Sequence, residues 1–394
     1  MKKLEKNKNI FIRNKKKIFL FNILVIIFFI IGLDYILFNT CTTFKEKIHY
    51  LYKVKKIRCK HPIYHHGFKP SSKERDRWGP YNNYVFTNSL GLKDKSIRRI
   101  EPKISKYRLL FIGDSFTEGI GLPYEETFVG LIDKNVSDYK IEVLNAGVGS
   151  YSPKLYYLKI RDLVENKGIK INELYTFLDL SDIEDELEYD SFQPQVSFDW
   201  ELASPRGYSL KSHYGILRTI KNEFLLNFSL IYYIVRKGKP LWPLYKFLET
   251  KDGITLIEDY EQERFDWPIF YDDKLKKWPN LGIELSFYYM DLIAKFCQKN
   301  EIFFSGLAVY PWAQEVEKNN IDSVHIKVWR GWTHNKKINF LNCYPPFFQD
   351  RAKSLKDYYI KGDYHFNSQG NKIIAKEWLK QNFERLKEIS KANN

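Results

Sequence analysis

The sequence predicts an α/β protein with a parallel sheet and one N-terminal transmembrane helix. From residue 106 onward, short apolar strands alternate with helical patterns, the signature of a parallel sheet covered on both faces. The glycine-flanked polar motifs fall where those strands end, which is where such sheets place their sites. Ile18 to Phe38 is a predominantly apolar run of 21 residues, long enough as a helix to cross a hydrocarbon core of about 30 Å.

Bulk composition fits a folded chain. Its 394 residues are 44% hydrophobic and 17% aromatic, enough for a large core and too apolar for a disordered chain. The formal charge of +15 suggests nucleic acid, but its placement does not. Residues 1–17 hold eight Lys and Arg against one Glu, directly before the apolar run. A basic cluster there is read by anionic lipid heads and by the rules of insertion. No zinc-finger spacing or RNA-recognition aromatic motif accompanies it, so no nucleic-acid partner is expected.

The elements follow in order. Residues 1–17 read as a basic cytoplasmic tail. The span 18–38 carries one charge, Asp34, in its last turn. Its apolar core exceeds a signal peptide's and no A-x-A-like cleavage site follows, which predicts an uncleaved anchor in contact with the lipid bilayer. Residues 45–60 hold seven Lys and Arg with one Glu, so the charge difference across the span is small. The adjacent run Lys15-Lys16-Lys17 favours an N-terminus in the cytoplasm and the bulk of the chain outside, facing a periplasm or the outer cell surface.

Residues 39–105 read as a linker and N-terminal segment. Cys59, His61, His65 and His66 cluster there. They lack the second half of a zinc ligand set, so packed histidines and no metal are expected. Cys41, Cys59, Cys297 and Cys343 form no CxxC pair; free, partly buried thiols are expected, with a disulfide open to an exported domain.

Strands are expected at Tyr107–Ile112, Ile141–Leu144, Leu174–Leu180, Ile302–Tyr310 and Phe340–Cys343. Helices are expected around 124–136, over Lys154–Asn166, at about 282–299 and over Gln369–Ile389. The α/β domain is expected over 106–385, with a polar tail at 386–394. Residues 183–281, rich in Trp, Tyr and Phe, interrupt the alternation. A stretch that long is a cap, a binding subdomain or a decoration with its own small core.

The motif Gly113-Asp114-Ser115 lies at the end of the first of these strands. Glycines at 113 and 119 permit a tight turn, and the following helix directs N–H groups toward Ser115. A serine hydroxyl is a weak nucleophile and needs a base. His365, in GDYHFNSQG (362–370), is the best base in the sequence, with Asp363 two residues before it to hold the imidazole. An oxyanion formed by attack at Ser115 needs donors. The Ser115 N–H is one, an N–H of Asn145-Ala146-Gly147-Val148-Gly149 another, and Ser181 at the third strand end a third. Tyr310 and Trp312 follow the fourth strand and are candidates either to line the cleft as a face for a sugar ring or to pack in the interior.

These motifs, GDSFTEG (113–119), LNAGVGSYSP (144–153) and GDYHFNSQG, resemble three blocks of the SGNH, or GDSL-type, hydrolase superfamily over residues 106–385. Phe116 replaces the usual leucine. The resemblance implies a flavodoxin-like three-layer α/β/α domain and ester hydrolysis or acyl transfer through an acyl-serine. It makes Ser115 the nucleophile, His365 the base, Asp363 its partner and Gly147 the oxyanion glycine. In the third block the family's asparagine becomes Ser181. The Asp-x-His spacing is similar to that of bacterial polysaccharide O-acetyltransferases with SGNH-like domains. Together with the anchor, it implies a membrane-bound esterase or O-acyltransferase acting on acyl, above all acetyl, esters of a cell-envelope glycan. No cofactor is implied. Envelope polysaccharide machinery is the expected partner. A weakly catalytic glycan-binding scaffold of such machinery is the alternative, and a lipid-directed esterase a third.

Overall fold

A computed structural model describes residues 17–36 apart from 20, 57–194 apart from 79 and 80, and 277–392. Cys41, His49, His213 and most of the 183–281 interruption lie outside the described residues. The chain divides into two units, one holding residues 1–55 and 212–251, the other 56–211 and 252–394. In the first, helix α1 (Lys17–Ile36) is 20 residues long and apolar enough to cross a membrane.

The second unit is built on an eight-stranded sheet. Its strands are β3 (Lys73–Trp78), β4 (Tyr81–Thr87), β5 (Lys93–Asp94), β6 (Tyr107–Ile112), β7 (Ile141–Asn145), β8 (Glu173–Leu178), β9 (Phe303–Val309) and β10 (Asn339–Asn342). Their order is β10-β9-β8-β6-β7-β5-β4-β3. The five strands β7, β6, β8, β9 and β10 run parallel, in the 2-1-3-4-5 order of flavodoxin-like sheets. The sheet as a whole is mixed, because β5, β4 and β3 extend it antiparallel. A hairpin of β1 (Arg58–His61) and β2 (His65–Phe68) stands apart from it. Residues 57–94 are thus not a linker: they form five strands, three of them in the main sheet.

Alternation along each strand feeds two cores. Leu110, Ile112, Leu144, Leu174 and Leu307 face one side, with residues of α4 (Pro153–Arg161), α6 (Lys277–Lys299) and α7 (Val324–Lys336). Leu109, Phe111, Val143, Phe177 and Ala308 face the other, with residues of α3 (Phe128–Val136) and α8 (Ser368–Ala392). Both faces are covered, so this unit has three layers, α/β/α.

The expected strand Leu174–Leu180 stops at Leu178. Asp179 ends it: its carboxylate accepts the N–H groups of Ser181 at 2.8 Å and Asp182 at 3.2 Å, opening a turn. Helix α5 (Asp182–Tyr189) follows and buries Ile183, Leu187 and Tyr189. The interruption therefore begins with a packed helix.

The candidate active site

Strand β6 is the point where the chain order reverses, with β7 on one side and β8 on the other. A crevice opens at the carboxyl end of such a strand. There the chain turns through Gly113 into the short helix α2 (Ser115–Glu118). Gly113 cannot be replaced: a Cβ would lie 2.1 Å from Thr117 Oγ1 and 2.6 Å from the Phe177 carbonyl. The Asp114 side chain caps α2 by accepting the Phe116 N–H at 3.0 Å, which fixes the serine that follows.

Ser115, His365 and Asp363 meet. His365 Nε2 lies 2.8 Å from Ser115 Oγ. Its Nδ1 lies 2.6 Å from Asp363 Oδ1, and that same oxygen accepts the His365 N–H at 2.9 Å. The Asp363 contact assigns the proton to Nδ1 and leaves Nε2 as acceptor for the serine hydroxyl. All three side chains are nearly shielded from water; Ser115 is 8% exposed. Burial alone would raise Asp363. The His365 charge and hydrogen bonds, together with Trp78, outweigh it and hold the carboxyl below its ordinary value.

Trp78 donates its indole N–H to Asp363 Oδ2 and stands edge-on to His365, with ring centres 5.6 Å apart. It arrives from β3, in the segment expected to be a linker, so nothing in its local sequence marks it. Phe116 also packs against His365, with ring centres 4.8 Å apart.

Beneath Ser115 lies a buried acid cluster that the motifs alone do not reveal. Asp114 Oδ2 accepts from Ser115 Oγ at 2.8 Å. Burial, and then the charge of Asp179, push Asp114 well above its ordinary value. Asp182 is raised likewise, by burial and then by Asp179 and Asp114. The Ser115 hydroxyl thus has two acceptors in reach. A protonated Asp114 leaves His365 Nε2 as the stronger one.

Three expectations about this site need correction. Gly147 N–H donates to Asn145 Oδ1 at 3.0 Å, so it does not face an oxyanion. Its lack of a side chain serves packing, since a Cβ would lie 2.4 Å from the Glu118 nitrogen. Ser181 Oγ turns back to Asp179 Oδ1 at 2.7 Å, because the shorter side chain closes the turn locally. Of the two roles open to Tyr310 and Trp312, the structure has the packing one: both are buried, and neither offers a face to a sugar ring. The Tyr310 hydroxyl donates to Asp114 Oδ1 at 3.1 Å, and Trp312 Nε1 donates to Asp179 Oδ2 at 2.9 Å.

The loop after β7 offers a different donor. The N–H groups of Ala146, Val148 and Tyr151 go to backbone carbonyls, and that of Gly149 goes to Glu118 Oε2 at 2.7 Å. Ser150 is exposed, with φ of 62°, and its N–H has no acceptor among the described residues. Cys59, Cys297 and Cys343 are free thiols. Among the described residues no group of His, Cys, Asp and Glu is arranged to hold a metal.

No family model matches the chain, and no curated protein matches it. Among solved structures it is similar to a member of the lipolytic G-D-S-L family from Veillonella parvula, at 10% identity and a TM-score of 0.34, covering 70% of this chain and 97% of that one. An acetylxylan esterase from Geobacillus stearothermophilus is similar at 10% identity and a TM-score of 0.37, covering 70% and 93%. A GDSL-like lipase from Bacteroides thetaiotaomicron is similar at 15% identity and a TM-score of 0.35, covering 73% and 92%.

Proposed function

We propose that the chain is an SGNH-type serine esterase or O-acyltransferase, held at a membrane by α1, that acts through an acyl-Ser115 intermediate on acyl esters of a cell-envelope glycan. The observation that carries this reading is the continuous chain Ser115 Oγ, His365 Nε2, His365 Nδ1, Asp363 Oδ1, with links of 2.8 Å and 2.6 Å.

Ser115 Oγ attacks the ester carbonyl carbon and its proton passes to His365 Nε2. Asp363, ionised, stabilises the imidazolium that forms. The carbonyl oxygen becomes an oxyanion, for which the Ser115 and Ser150 N–H groups are the donors we assign. Each such donor is worth about 2.7–4 kcal/mol in the transition state. Collapse expels the alcohol, which takes the proton from Nε2. Water then attacks the acyl-serine for hydrolysis, or a sugar hydroxyl for transfer. Its proton goes to His365 and on to Ser115. The cytoplasmic N-terminus and the outward catalytic domain belong to the same reading, supported by the basic run 15–17 and the apolar span.

The test uses the full-length chain with a fluorophosphonate probe and p-nitrophenyl acetate, with and without an added oligosaccharide acceptor. Labelling and acetate release are expected in the wild type. Ser115→Ala or His365→Ala should lower kcat/KM by about 10⁴-fold or more. A folded wild type that neither labels nor turns over overturns the proposal.

A further inference from the structure

Asp363 holds its charge where water does not reach. Its side chain is 1% exposed, and a carboxylate buried that far needs donors on both oxygens. His365 supplies only one of them, because its Nδ1–H and its backbone N–H both go to Oδ1. Oδ2 is left to Trp78, whose indole N–H is its partner among the described residues. Burial works against the charge on Asp363, and the contacts with His365 and Trp78 work for it. Without Trp78, Oδ2 would be a bare charged oxygen in the interior.

Strand alternation and a built socket bring Trp78 to that place. Across the β3–β4 register, Asp76 pairs with Asn83 and Glu74 with Val85. Asp76 and Trp78 therefore share a face with Asn83 and Val85, and buried Val85 marks that face as the inner one. Asn83 Nδ2 donates to the Gly121 carbonyl at 2.9 Å. Lys93 Nζ, from β5, donates to the Gly119 and Leu122 carbonyls at 2.8 and 2.6 Å. The loop after α2 is thus held from β4 and β5, and Trp78 lies on it. A Cβ at Gly121 would come 3.1 Å from Trp78 Cβ and 3.4 Å from Ile360 Cδ1. Ile360 in turn closes the turn of the base: its N–H donates to the His365 carbonyl, and its carbonyl accepts the Asp363 N–H, both at 2.9 Å.

We propose that Trp78 is a positioning residue of the reaction: it holds Asp363 Oδ2 so that Oδ1 stays turned to His365, and strands β3–β5 complete the triad as well as extend the sheet. This rests on the acyl-serine reading. The indole suits the task because it is a neutral donor with one N–H and no acceptor. It steadies the carboxylate and leaves its charge to the imidazolium, which a cation in the same place would cancel.

The test follows p-nitrophenyl acetate hydrolysis by the full-length chain as wild type, Trp78→Phe, Asp363→Ala and the two substitutions combined. A further form carries benzothienylalanine at position 78, which keeps the indole shape with sulfur in place of the N–H. One lost hydrogen bond to a charged group should lower kcat by about 10- to 100-fold in Trp78→Phe and in the sulfur isostere, with KM within about twofold. In the Asp363→Ala background, Trp78→Phe should change kcat by less than about twofold, because the group it serves is gone. A loss of equal size in both backgrounds would make Trp78 a packing residue and overturns the proposal. An isostere as active as the wild type overturns it too, and decides the matter if Trp78→Phe does not fold. A wild type that turns over nothing fails the acyl-serine reading instead. The bond is then read directly, from the His365 Nδ1–H proton resonance of the full-length chain labelled at histidine. Losing the donor on Oδ2 leaves more charge on Oδ1, so the isostere should move that resonance downfield; an unmoved resonance overturns the proposal.

Discussion

Ser115 presents one hydroxyl hydrogen to two acceptors, Asp114 Oδ2 and His365 Nε2, both at 2.8 Å. Which one receives it decides whether the serine is activated. The buried Asp114 carboxyl is raised, so its proton stays on at pH values where ordinary carboxyls have lost theirs. A folded pKa above the unfolded one contributes stability that is full below the unfolded value, near 3.9, and fades as pH rises through the folded value. Asp114→Asn removes that dependence. In denaturant titrations between pH 5 and 9, the variant is expected to lose less stability toward alkaline pH than the wild type; an identical slope in both would show that Asp114 is ionised in the native state. Asp363→Asn should keep the fold but lower kcat/KM by about 10³- to 10⁴-fold, because it leaves the wrong imidazole nitrogen protonated. Ser115, Asp363 and His365 were legible in the sequence because each stands in a glycine-flanked polar loop. Trp78 was not, since it reaches Asp363 across 285 positions. The commitments of the Gly147 and Ser181 donors depend on local turns that motif spacing does not encode.

At the scale of elements, the parallel strands were legible and the antiparallel ones were not, for one physical reason. Strands β6, β7 and β8 are covered on both faces and read as apolar runs. Strand β3 reads KERDRW, a charged edge strand that carries no hydrophobic signature. The β1–β2 hairpin is hidden similarly, behind polar residues that pack. His66 Nε2 lies 2.9 Å from the Gly149 carbonyl, which only accepts, so Nε2 carries the proton. Its Nδ1 is then an acceptor for His65 Nδ1–H at 2.8 Å. Both rings are held neutral, and burial lowers His65 to about 4 and His66 to about 3. A depressed folded pKa gives stability that is present above the unfolded value, near 6.5, and is lost as pH falls below it. Glu186 and Glu315, raised by burial to about 7, act in the opposite direction as pH falls. A variant isolates the histidine part: His66→Asn should lose about 1–2 kcal/mol less than the wild type between pH 7 and 4.5. Equal losses in denaturant midpoints would show that His66 titrates normally in the folded chain.

For the whole molecule, the sequence indicated the order of parts better than their boundaries. The three-layer α/β/α arrangement and the site at the carboxyl end of β6 follow from strand alternation and from where the glycines fall. The mixed sheet does not, because short antiparallel strands add few apolar residues to the pattern. The remaining question at this scale is what α1 does. Its outer surface is apolar almost throughout, with Phe19, Phe21, Phe28 and Phe29 more than half exposed. Water pays no return on such a surface, whereas lipid removes it from solvent at about 25 cal/mol per Å². An anchor predicts that the full-length chain sediments with membranes and resists alkaline carbonate extraction. A charge near the middle of a spanning helix costs about 2.5–3.5 kcal/mol. Ile26→Asp with Phe28→Asp should therefore release much of the chain into the soluble fraction. Esterase activity should follow the chain into that fraction. Retention of the double variant on carbonate-washed membranes would mean that another segment holds the chain there. Release of the wild type by carbonate would remove the anchor and, with it, one ground for a cell-envelope substrate.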